Sequence, residues 1–374
     1  MNGVFSRKDN NMKSIGILNY MRKYGHENVL LCQDDKAGLM AVIAIHSTLL
    51  GPAMGGTRVW NYESESDAIE DALRLSRGMT YKYAAAGMNF GGAKAVVMTD
   101  PKRKDREILF RTLGKFINRL GGKFRTGEDV GTTLEDMEYL HMETPYVNTL
   151  PEYLGGVGPI APLTAFGVIQ GMKACAKQVF GSDDLKARTI ALQGVGSVGS
   201  SMVEQLCDAG AHLIITDINK SAVDHLAKKF GVKTVAPQEI YGVECDIFSP
   251  CALGAILNER TIPQLKCKIV CGSANNQLAE ERHGDLLNEK AILYGPDYVV
   301  NAGGAIYDAD RLIGEFNAER GRAKVAKIYQ TTQKVIEIAK GKGIATYKAA
   351  DILAEERITA MSVVKRYWEH MEIR

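Results

Sequence analysis

The chain has 374 residues, of which 45% are hydrophobic and 24% are charged, and its formal net charge is +2. This length suffices for two domains with separate cores, and the near-balance of charge argues against a nucleic-acid-binding or membrane-surface protein. No stretch of about 18 apolar residues indicates a membrane span, and the N-terminal residues lack the apolar segment of a secretory signal.

The seven cysteines are scattered and odd in number, and none of them forms a C-x-x-C pair. Cys267 and Cys271 lie four residues apart, but no His or Cys cluster completes a metal site around them. Such spacing favours reduced, mostly buried thiols over a disulfide framework or a metal centre. We therefore expect a cytoplasmic protein without a bound metal.

The first part of the chain, residues 25–146, predicts an α/β unit. Ser64 and Asp67 indicate the start of a helix, because Ser-x-x-Asp is a plausible capping box. Gly121 and Gly122 indicate a helix end, because glycine is common just after a helix C-terminus. The predicted elements, in chain order, are a strand at 26–33, a turn at 34–38, a strand at 39–46, a helix from Ser64 to about Arg77, a strand at 94–98 and a helix from Ile108 to Leu120.

The second part alternates short apolar strands with helices, beyond a linker rich in Gly and Pro at residues 151–162. The predicted strands lie at 189–193, 212–216, 232–236, 245–249, 268–271 and 292–294. This alternation predicts a parallel, doubly wound sheet that binds its ligand at the carboxyl ends of the strands. An apolar stripe within residues 346–372 predicts a helix or helix pair that packs back on the first domain.

The clearest functional motif follows the predicted strand at 189–193 and opens a helix-like segment; it reads Gly194-Val195-Gly196-Ser197-Val198-Gly199. In such a motif the first glycine permits a tight turn, the second lets the backbone approach a pyrophosphate, and the third packs helix against strand. The helix N-terminus adds unpaired N–H groups and a partial positive charge. We therefore expect a dinucleotide at this place.

Asp217 ends the next predicted strand, 18 residues beyond the last glycine of the motif. A carboxylate there accepts hydrogen bonds from the adenosine ribose, and its charge repels a 2′-phosphate. The sequence therefore favours NAD over NADP, although the neighbouring Lys220 weakens the preference.

Two lysines and one aspartate lie in glycine-rich or apolar surroundings: Lys82, Lys94 and Asp129. Burying an unpaired ammonium group costs free energy, so buried lysines are unusual and point to a function. One of the two lysines could be a base, and the other could be kept charged by a substrate carboxylate. Burial or a second nearby cation lowers the pKa of an amine towards neutrality, which creates a general base. A structural ion pair or a snorkelling side chain remains the competing interpretation for each lysine.

Two further glycine-rich stretches favour ligand binding. Residues 51–56 could present backbone N–H groups to an anion, and residues 301–304 could let a nicotinamide approach closely. The histidines have no triad-like or metal-like partners in the sequence, and we interpret them as structural.

Taken together, these segments resemble the amino-acid dehydrogenases of the glutamate, leucine, phenylalanine and valine family. The motifs that carry the resemblance, all in family order, are Gly51–Arg58, Asp71–Lys82, Gly91–Lys94, Gly127–Thr132, Asp246–Leu253, Gly272–Gln277 and Pro296–Gly304. The resemblance runs from about Gly25 to Arg366 and is strongest to the leucine branch of the family.

The resemblance implies a catalytic pair. Lys94 would be the amine of low pKa that activates water against the substrate imine, and Asp129 would carry a proton to and from the substrate nitrogen. The substrate α-carboxylate would be held by Lys82, Asn276 and the backbone of Gly55 and Gly56.

The resemblance also implies the cofactor contacts. Thr164 and Asn301 would position the nicotinamide of NAD, which takes the Cα hydrogen as a hydride. The other implied contacts are Gly194, Val195, Gly196, Ser197, Val198, Gly199, Asp217, Ile218, Cys251, Ala252 and Ala274. Two domains hinged around a cleft would close over the reactants and expel water.

By analogy, the side-chain pocket lies at four positions that differ from the leucine enzymes: Met54, Gly127, Ala305 and Asp308. The leucine enzymes resemble Leu, Ala, Val and Val there, and phenylalanine enzymes also use Gly at the second position. Gly127 and Ala305 would enlarge the pocket for a longer or aromatic side chain. Burying the Asp308 carboxylate unpaired would be costly, which leaves three alternatives. The side chain turns to solvent, it pairs with a cation of the protein, or the substrate carries a polar or cationic group.

The expected fold is therefore α/β, with a substrate-binding and catalytic domain at residues 1–148, completed by 346–374, and a Rossmann domain for NAD at 149–345. The expected reaction is reversible, NAD-dependent oxidative deamination of an L-amino acid, with leucine-like substrates first and phenylalanine or tryptophan as the alternative. A non-catalytic NAD-binding sensor and a hydroxy-acid dehydrogenase are the rivals, but the latter would call for a His–carboxylate pair that the sequence does not suggest. The resemblance implies a homo-oligomer, an octamer or smaller, assembled through the first domain and the C-terminal segment.

Overall fold

A computed structural model describes residues 16–252 and 254–362 of the chain. The expected N-terminal tail, Leu253 at the end of one motif, and residues 363–374 lie outside the described residues. The described chain divides into two units, one of residues 16–158 and 357–362 and one of the residues between them. The structure divides the units after residues 158 and 356, in each case somewhat later in the chain than the expected domain ends at 148 and 345.

The first unit contains a mixed sheet with helices on both faces. Its elements are α1 (Ile17–Tyr24), β1 (Asn28–Asp34), β2 (Leu39–Ser47), β3 (Ala53–Met54), β4 (Thr57–Trp60), α2 (Glu65–Ala85), β5 (Gly91–Met98), α3 (Arg106–Asn118), β6 (Phe124–Arg125) and α4 (Leu134–His141). The strand order is β1-β2-β5-β3-β6, and β4 pairs with the C-terminal part of β5. β1 and β2 form the predicted antiparallel hairpin, and β3 and β4 both run parallel to β5.

Strand β5 is buried on both faces, and this burial explains where its side chains lie. Val96 packs with α2 residues on one face, whereas Ala95 and Val97 pack with α3 residues on the other. Because successive side chains of a strand point to opposite faces, Lys94 shares the face of Val96. The central strand therefore carries Lys94 on the face that α2 covers.

Helix α2 begins as predicted but is longer than predicted. The Ser64 hydroxyl accepts a hydrogen bond from the backbone N–H of Asp67, as the capping pattern indicated. The helix then continues through Gly78 to Ala85, so the expected end near Arg77 was wrong. Tertiary packing of the buried last two turns outweighs the weak helix propensity of glycine.

The second unit is a doubly wound α/β domain, as predicted. Its elements are α5 (Ala161–Phe180), β7 (Thr189–Gln193), α6 (Ser197–Asp208), β8 (His212–Thr216), α7 (Lys220–Phe230), β9 (Lys233–Thr234), β10 (Ile247–Pro250), β11 (Ile269–Val270), α8 (Arg282–Glu289), β12 (Leu293–Tyr294), α9 (Asp297–Val300), α10 (Gly303–Ala309), α11 (Ala318–Ala326) and α12 (Ile328–Lys342). The strand order is β12-β11-β10-β7-β8-β9, and every neighbouring pair is parallel. Each predicted strand of this part of the chain is present, although several are shorter than predicted.

The parallel sheet is covered on both faces, which accounts for its nearly continuous apolar strands. Ile190 and Leu192 of β7 face one core cluster, and Ala191 faces the other. The chain crosses from one side of the sheet to the other between β7 and β10. Their carboxyl ends, at Gln193 and Pro250, therefore form the topological switch point at which such sheets bind ligands.

The last described helix, α13 (Thr346–Ser362), contains the division between the two units. Within the first unit, the Arg357 guanidinium donates hydrogen bonds to the carbonyl of Gly87 (2.8 Å) and to Oδ1 of Asn89 (2.7 Å). These bonds hold the end of α13 against the loop that precedes β5. The rest of the predicted C-terminal segment lies outside the described residues.

Candidate functional site

The Lys94 side chain is buried, with 4% of the residue exposed. Its Nζ lies 2.9 Å from Oδ2 of Asp129. Asp129 is 35 residues away along the chain, in the loop between β6 and α4. The fold therefore brings together the two residues to which the sequence assigned the proton chemistry.

A close backbone approach places Asp129 beside the central strand. A Cβ atom built on Gly56 would lie 2.7 Å from the carbonyl oxygen of Glu128 and 2.8 Å from Cβ of Asp129. Any side chain at this position would push the Asp129 loop away from Lys94. Gly56 is therefore required for the pair, in addition to any contact that its N–H makes with a substrate.

Lys82 lies in the last turn of α2, on the helix that covers the face of Lys94, and it is 9% exposed. A Cβ atom on Gly92 would lie 2.1 Å from the backbone nitrogen of Thr80. Only glycine therefore lets the end of α2 approach β5 so closely. Gly92 therefore allows the Lys82 helix to lie directly against the Lys94 strand.

Arg58 and Asp71 complete the charged cluster, and neither was predicted from the sequence to belong to the site. Arg58 on β4 donates from Nε to Oδ2 of Asp129 and from Nη1 to Oδ2 of Asp71, both at 3.0 Å. The Tyr62 hydroxyl donates to the same Asp71 oxygen at 2.5 Å. Both residues belong to motifs that carried the family resemblance, and an arginine two residues after the glycine-rich stretch 51–56 was the available signal.

The charges in this cluster shift the ionisation of its members. Burial lowers the pKa of the Lys94 ammonium and the Arg58 guanidinium lowers it further, while the Asp129 carboxylate opposes both. Burial by itself would raise the pKa of Asp129, but Lys94 and Arg58 outweigh it and hold this pKa at about 2. The cluster therefore contains an ionised carboxylate beside an amine of lowered pKa, which suits general acid–base catalysis.

Two of the expected pocket residues, Met54 and Gly127, lie in the first unit. Met54 is on β3 and is 1% exposed. A Cβ atom on Gly127 would lie 2.5 Å from Oγ1 of Thr149. The space beside Gly127 is therefore filled by a threonine hydroxyl, so the missing methyl does not by itself widen a pocket there.

The other two expected pocket residues, Ala305 and Asp308, lie on α10 in the second unit. Asp308 is only 5% exposed, so it does not turn to solvent. It attracts the Arg311 guanidinium and thereby raises the Arg311 pKa against the larger, lowering effect of burial. The Arg311 charge therefore offsets part of the Asp308 carboxylate charge, and exposure to solvent is the one alternative of the three that the structure contradicts.

The glycine motif lies at the switch point of the parallel sheet. It joins β7 to α6, and Gly196 is the residue that precedes the first residue of the helix. A Cβ atom on Gly199 would lie 2.0 Å from the carbonyl oxygen of Gly194, so the third glycine packs the helix against the turn. Around Gly196 no atom lies within 4 Å of such a Cβ, so the second glycine leaves open space at the helix N-terminus. This is the geometry that a pyrophosphate requires.

Asp217 lies at the end of β8, beside the glycine motif. Its Oδ2 accepts a hydrogen bond from the backbone N–H of Val195 at 2.7 Å, and its Oδ1 accepts one from Asn219 at 2.8 Å. The next residue, Ile218, is 94% exposed. Two backbone N–H groups therefore fix the Asp217 carboxylate beside the glycine motif.

Three further residues expected to contact the cofactor lie at the ends of neighbouring strands. Cys251 and Ala252 follow β10, and a Cβ atom on Gly194 would lie 2.7 Å from the backbone nitrogen of Ala252. Ala274 follows β11, and its N–H donates to the carbonyl of Pro250. These residues therefore line the same edge of the sheet as the glycine motif.

Thr164 lies against Gly304, three residues beyond Asn301. A Cβ atom on Gly304 would lie 2.4 Å from Oγ1 of Thr164. The Asn301 amide donates to the carbonyl of Ser273 (3.1 Å) and to Oδ1 of Asn275 (2.7 Å). Its own Oδ1 is buried and accepts no hydrogen bond from the described residues. A buried acceptor of this kind fits the carboxamide N–H of a nicotinamide.

Asn276 lies in the loop after β11, with a positive φ of 50° and its carbonyl bonded to the N–H of Ala255. Asparagine tolerates this left-handed conformation better than most residues. Asn276 therefore belongs to the second unit, whereas Lys82, Gly55 and Gly56 belong to the first.

Within the described ranges, no helix is both long and apolar enough to span a bilayer. No group of three or more His, Cys, Asp or Glu side chains in the same part of the chain is placed to hold a metal ion. All seven cysteines are free thiols.

Two family descriptions match the chain. Residues 26–146 match "Glu/Leu/Phe/Val dehydrogenase, dimerisation domain", and residues 212–365 match "Glutamate/Leucine/Phenylalanine/Valine dehydrogenase". Together these matches cover well over half of the chain, and they include Lys94, Asp129, Asp217 and Asn301, whereas the glycine motif at 194–199 lies between the two matched ranges.

Relatives with several substrates are similar to the chain over most of its length. It is 56% identical to a leucine dehydrogenase of Bacillus cereus, over 93% of this chain and 95% of the relative. It is 47% identical to a phenylalanine dehydrogenase of Lysinibacillus sphaericus, over 89% of this chain and 88% of the relative. The crystal structure of an L-tryptophan dehydrogenase from Nostoc punctiforme superposes with a TM-score of 0.78 and 42% identity, covering 93% of this chain and all of that one.

Proposed function

Because the chain belongs to the Glu/Leu/Phe/Val dehydrogenase family, we propose that it catalyses the reversible, NAD-dependent oxidative deamination of L-leucine and related branched-chain amino acids. The chain is an amino-acid dehydrogenase, and its substrates are an amino acid and the matching 2-oxo acid. The observation that carries the proposal is the buried contact of 2.9 Å between Lys94 and Asp129. A non-catalytic NAD sensor would gain nothing from two buried lysines and an acid in one unit.

The chemistry of deamination assigns a role to each member of the pair. Lys94 takes a proton from water as the water oxygen attacks the imine carbon of the oxidised substrate. Asp129 relays a proton between Lys94 and the substrate nitrogen, so that ammonia leaves as the carbon–oxygen double bond forms. Both roles need an amine of lowered pKa beside an ionised carboxylate, which is the state of the cluster.

The orientation of the substrate depends on how its α-carboxylate is held. Lys82 lies on the helix that packs against the Lys94 strand, and its ammonium would hold the α-carboxylate. The backbone at Gly55 and Gly56 would add to this contact, and the role that the resemblance implies for Asn276 stays a prediction. Anchoring the carboxylate fixes the amine-bearing carbon relative to Lys94 and Asp129.

NAD would be held by the glycine motif, Asp217 and the carboxyl ends of β10 and β11, while Thr164 and Asn301 orient the nicotinamide. Bound there, the cofactor supplies one piece of chemistry, acceptance of the substrate's Cα hydrogen as a hydride. The buried, unpaired Oδ1 of Asn301 supports this assignment, because a carboxamide N–H would satisfy it.

We propose NAD rather than NADP because the Asp217 carboxylate is fixed by two backbone N–H groups beside the glycine motif. Its charge would repel a 2′-phosphate, and the exposed Lys220 three residues later would offset only part of this repulsion. Comparison of kcat/KM for NADH and NADPH tests the choice. Equal values would contradict it.

Leucine-like substrates are favoured over aromatic or cationic ones by two features of the expected pocket residues. The Thr149 hydroxyl fills the space beside Gly127, which removes part of the argument for a larger pocket. The Arg311 guanidinium offsets part of the Asp308 carboxylate charge, which weakens the argument for a cationic substrate. Ala305, which is smaller than the valine of the leucine enzymes, keeps an aromatic amino acid as the alternative substrate.

The test is NADH oxidation with ammonia and a panel of aliphatic, aromatic and basic 2-oxo acids. We expect the highest kcat/KM with 4-methyl-2-oxopentanoate. Poor activity with that acid beside good activity with phenylpyruvate or indole-3-pyruvate would overturn leucine in favour of an aromatic amino acid. Absence of turnover with every acid would overturn the enzymatic function.

We also propose that the chain forms a homo-oligomer through its first unit. β1 is an edge strand of the mixed sheet, and it exposes Leu31 (65%) beside Met40 (44%) of β2. Exposed apolar side chains on an unpaired edge favour association. Light scattering after size exclusion tests this, since a mass of 40.9 kDa would show a monomer. A cytoplasmic location, expected from the cysteines, stays a prediction.

A further inference from the structure

Arg58 bridges two carboxylates that come from different parts of the first unit. It lies on β4, whose pairing with β5 places it opposite Val96, two residues from Lys94. Its guanidinium contacts Asp129 through Nε and Asp71 through Nη1, both at 3.0 Å. The side chain is 16% exposed, so these contacts are largely shielded from water.

Arg58 and Lys94 contact the same carboxylate oxygen. Nε of Arg58 lies 3.0 Å from Oδ2 of Asp129, and Nζ of Lys94 lies 2.9 Å from it. Two cationic donors on one oxygen fix the plane of the carboxylate and direct the other oxygen, Oδ1, away from them. A relay to a substrate nitrogen needs such a fixed and accessible oxygen.

Asp71 in turn fixes Arg58. Its Oδ2 accepts hydrogen bonds from Nη1 of Arg58 and from the hydroxyl of Tyr62. Asp71 lies on α2, eleven residues before Lys82 and therefore about three helical turns away on the same helix. The chain of contacts thus runs from the helix of the substrate-binding lysine to the catalytic carboxylate.

We propose that Arg58, held by Asp71, is a positioning residue for the reaction, which fixes Oδ2 of Asp129, leaves Oδ1 for the substrate nitrogen and keeps a second cation beside Lys94. This inference deepens the proposed function and rests on it. Lysine cannot replace arginine in this role, because a single ammonium does not offer the two divergent donors that reach Asp129 and Asp71 together.

The electrostatic consequences give the proposal its signature. The groups that act on the Lys94–Asp129 pair are Arg58 from β4, Asp71 from α2, and Glu128 from the same loop as Asp129. Loss of Arg58 raises the pKa of Asp129, which loses a cation, and also raises the pKa of Lys94, which loses a repelling charge. Loss of the Asp71 charge should lower the pKa of Lys94, because the Asp71 carboxylate raises the pKa of Lys94 in the wild type.

The decisive experiment compares pH profiles of kcat/KM for deamination in the wild type, Arg58→Met, Arg58→Lys and Asp71→Asn. In Arg58→Met we expect the acidic limb to move up by about 1 pH unit, together with a fall in kcat of about 100-fold. In Asp71→Asn we expect the limb to move to lower pH. Arg58→Lys keeps the charge, so its limb stays near that of the wild type while kcat falls about tenfold.

Arg74→Met is the matched control, because Arg74 is an exposed arginine on the same helix as Asp71. It is expected to leave kcat and the pH profile unchanged. Circular dichroism and thermal unfolding establish that each variant is folded. A merely structural Arg58 would lower kcat without moving the limb, and that result would overturn the proposal.

A second measurement separates this inference from the proposed function. The Lys94 pKa is measured in the full-length protein by NMR with lysine labelled at 13Cε, and Lys94→Arg assigns the signal. The expected result is a higher pKa in Arg58→Met and a lower one in Asp71→Asn. If the wild type turns over no amino acid but these shifts occur, the proposed function fails and the arrangement around Lys94 stands. If the wild type is active and the Lys94 pKa is the same in all variants, only the positioning role fails.

Discussion

The two units differ in whether the polar groups of their proposed sites are bonded to other protein groups. In the first unit, the buried Lys94 and the half-buried Asp129 and Arg58 bind one another, at distances of 2.9–3.0 Å. In the second unit, the proposed nucleotide site is built largely of backbone beside open space. There the buried Oδ1 of Asn301 has no hydrogen-bond donor among the described residues, and Ile218 is almost fully exposed.

This difference follows from what each site must do. Acid–base catalysis needs pKa values that are set before the substrate arrives, so the charges must be assembled within the protein. Cofactor binding instead gains free energy when a ligand satisfies groups that the protein leaves open. The first site should therefore respond to mutation through its rate and its pH dependence, and the second through ligand affinity.

The largest expected effect is that of Lys94→Ala. Loss of the base should lower kcat by about 10³-fold or more, while the Kd for NADH stays unchanged because the nucleotide site lies in the other unit. Steady-state kinetics and NADH fluorescence titration measure the two quantities. Lys115→Ala is the control, since Lys115 is exposed on α3. Near-normal kcat in Lys94→Ala would remove Lys94 from the mechanism.

Gly199→Ala and Gly196→Ala test the second site. The new methyl at position 199 meets the Gly194 carbonyl oxygen at 2.0 Å, so we expect overpacking to weaken NADH binding about 100-fold and to lower the melting temperature. At position 196 the methyl meets open space, so we expect about tenfold weaker binding from the blocked pyrophosphate approach and an unchanged melting temperature. Calorimetric titration and thermal unfolding measure these effects. Equal destabilisation by the two variants would contradict the assignment of separate roles to the glycines.

The second unit was the easier of the two to predict from sequence. Its nucleotide motif is continuous in the chain, and its parallel strands carry short apolar runs that mark their own positions. The end of α2 was predicted wrongly, because Gly78 looks like a helix end and the packing that overrides it comes from β5. Local signals therefore sufficed only where the structure depends on local contacts.

The catalytic cluster shows the same limit. Lys94 and Asp129 were found because a charged residue among glycines is conspicuous in a sequence, whereas the role of Arg58 was missed. Arg58 acts through a contact with a residue 71 positions away. Its effect depends on which oxygen of Asp129 it touches, and a pattern of residue types does not contain that information. The Thr149 hydroxyl beside Gly127 was missed for the same reason.

The two sites should also differ in how they affect stability at low pH, because only the first site contains a cluster of charged side chains. The pKa of Asp129 is depressed to about 2 in the folded protein, so its stabilising contribution is present above the unfolded pKa near 4. As pH falls from about 4 to about 2, about 2 kcal/mol of the free energy of unfolding should be lost. Urea unfolding across this range, in the wild type and in Asp129→Asn, measures the difference in slope. The exposed Asp224, changed to Asn, is the control, and a slope unchanged in Asp129→Asn would contradict the prediction.

The smallest expected effect tests whether the space beside Gly127, an expected pocket residue, is filled by protein atoms or open to the substrate side chain. In Gly127→Ala the new methyl lies 2.5 Å from Oγ1 of Thr149, which must move. Since the neighbour is a single hydroxyl, we expect a loss of stability of only about 1 kcal/mol. The double variant Gly127→Ala with Thr149→Ala should recover part of this loss, because the second change removes the atom that the methyl meets. If Gly127→Ala instead left stability unchanged and lowered kcat/KM only for aromatic 2-oxo acids, the space beside Gly127 would be open to the substrate. The pocket would then differ from the rest of the first unit, and the aromatic alternative would gain its strongest support.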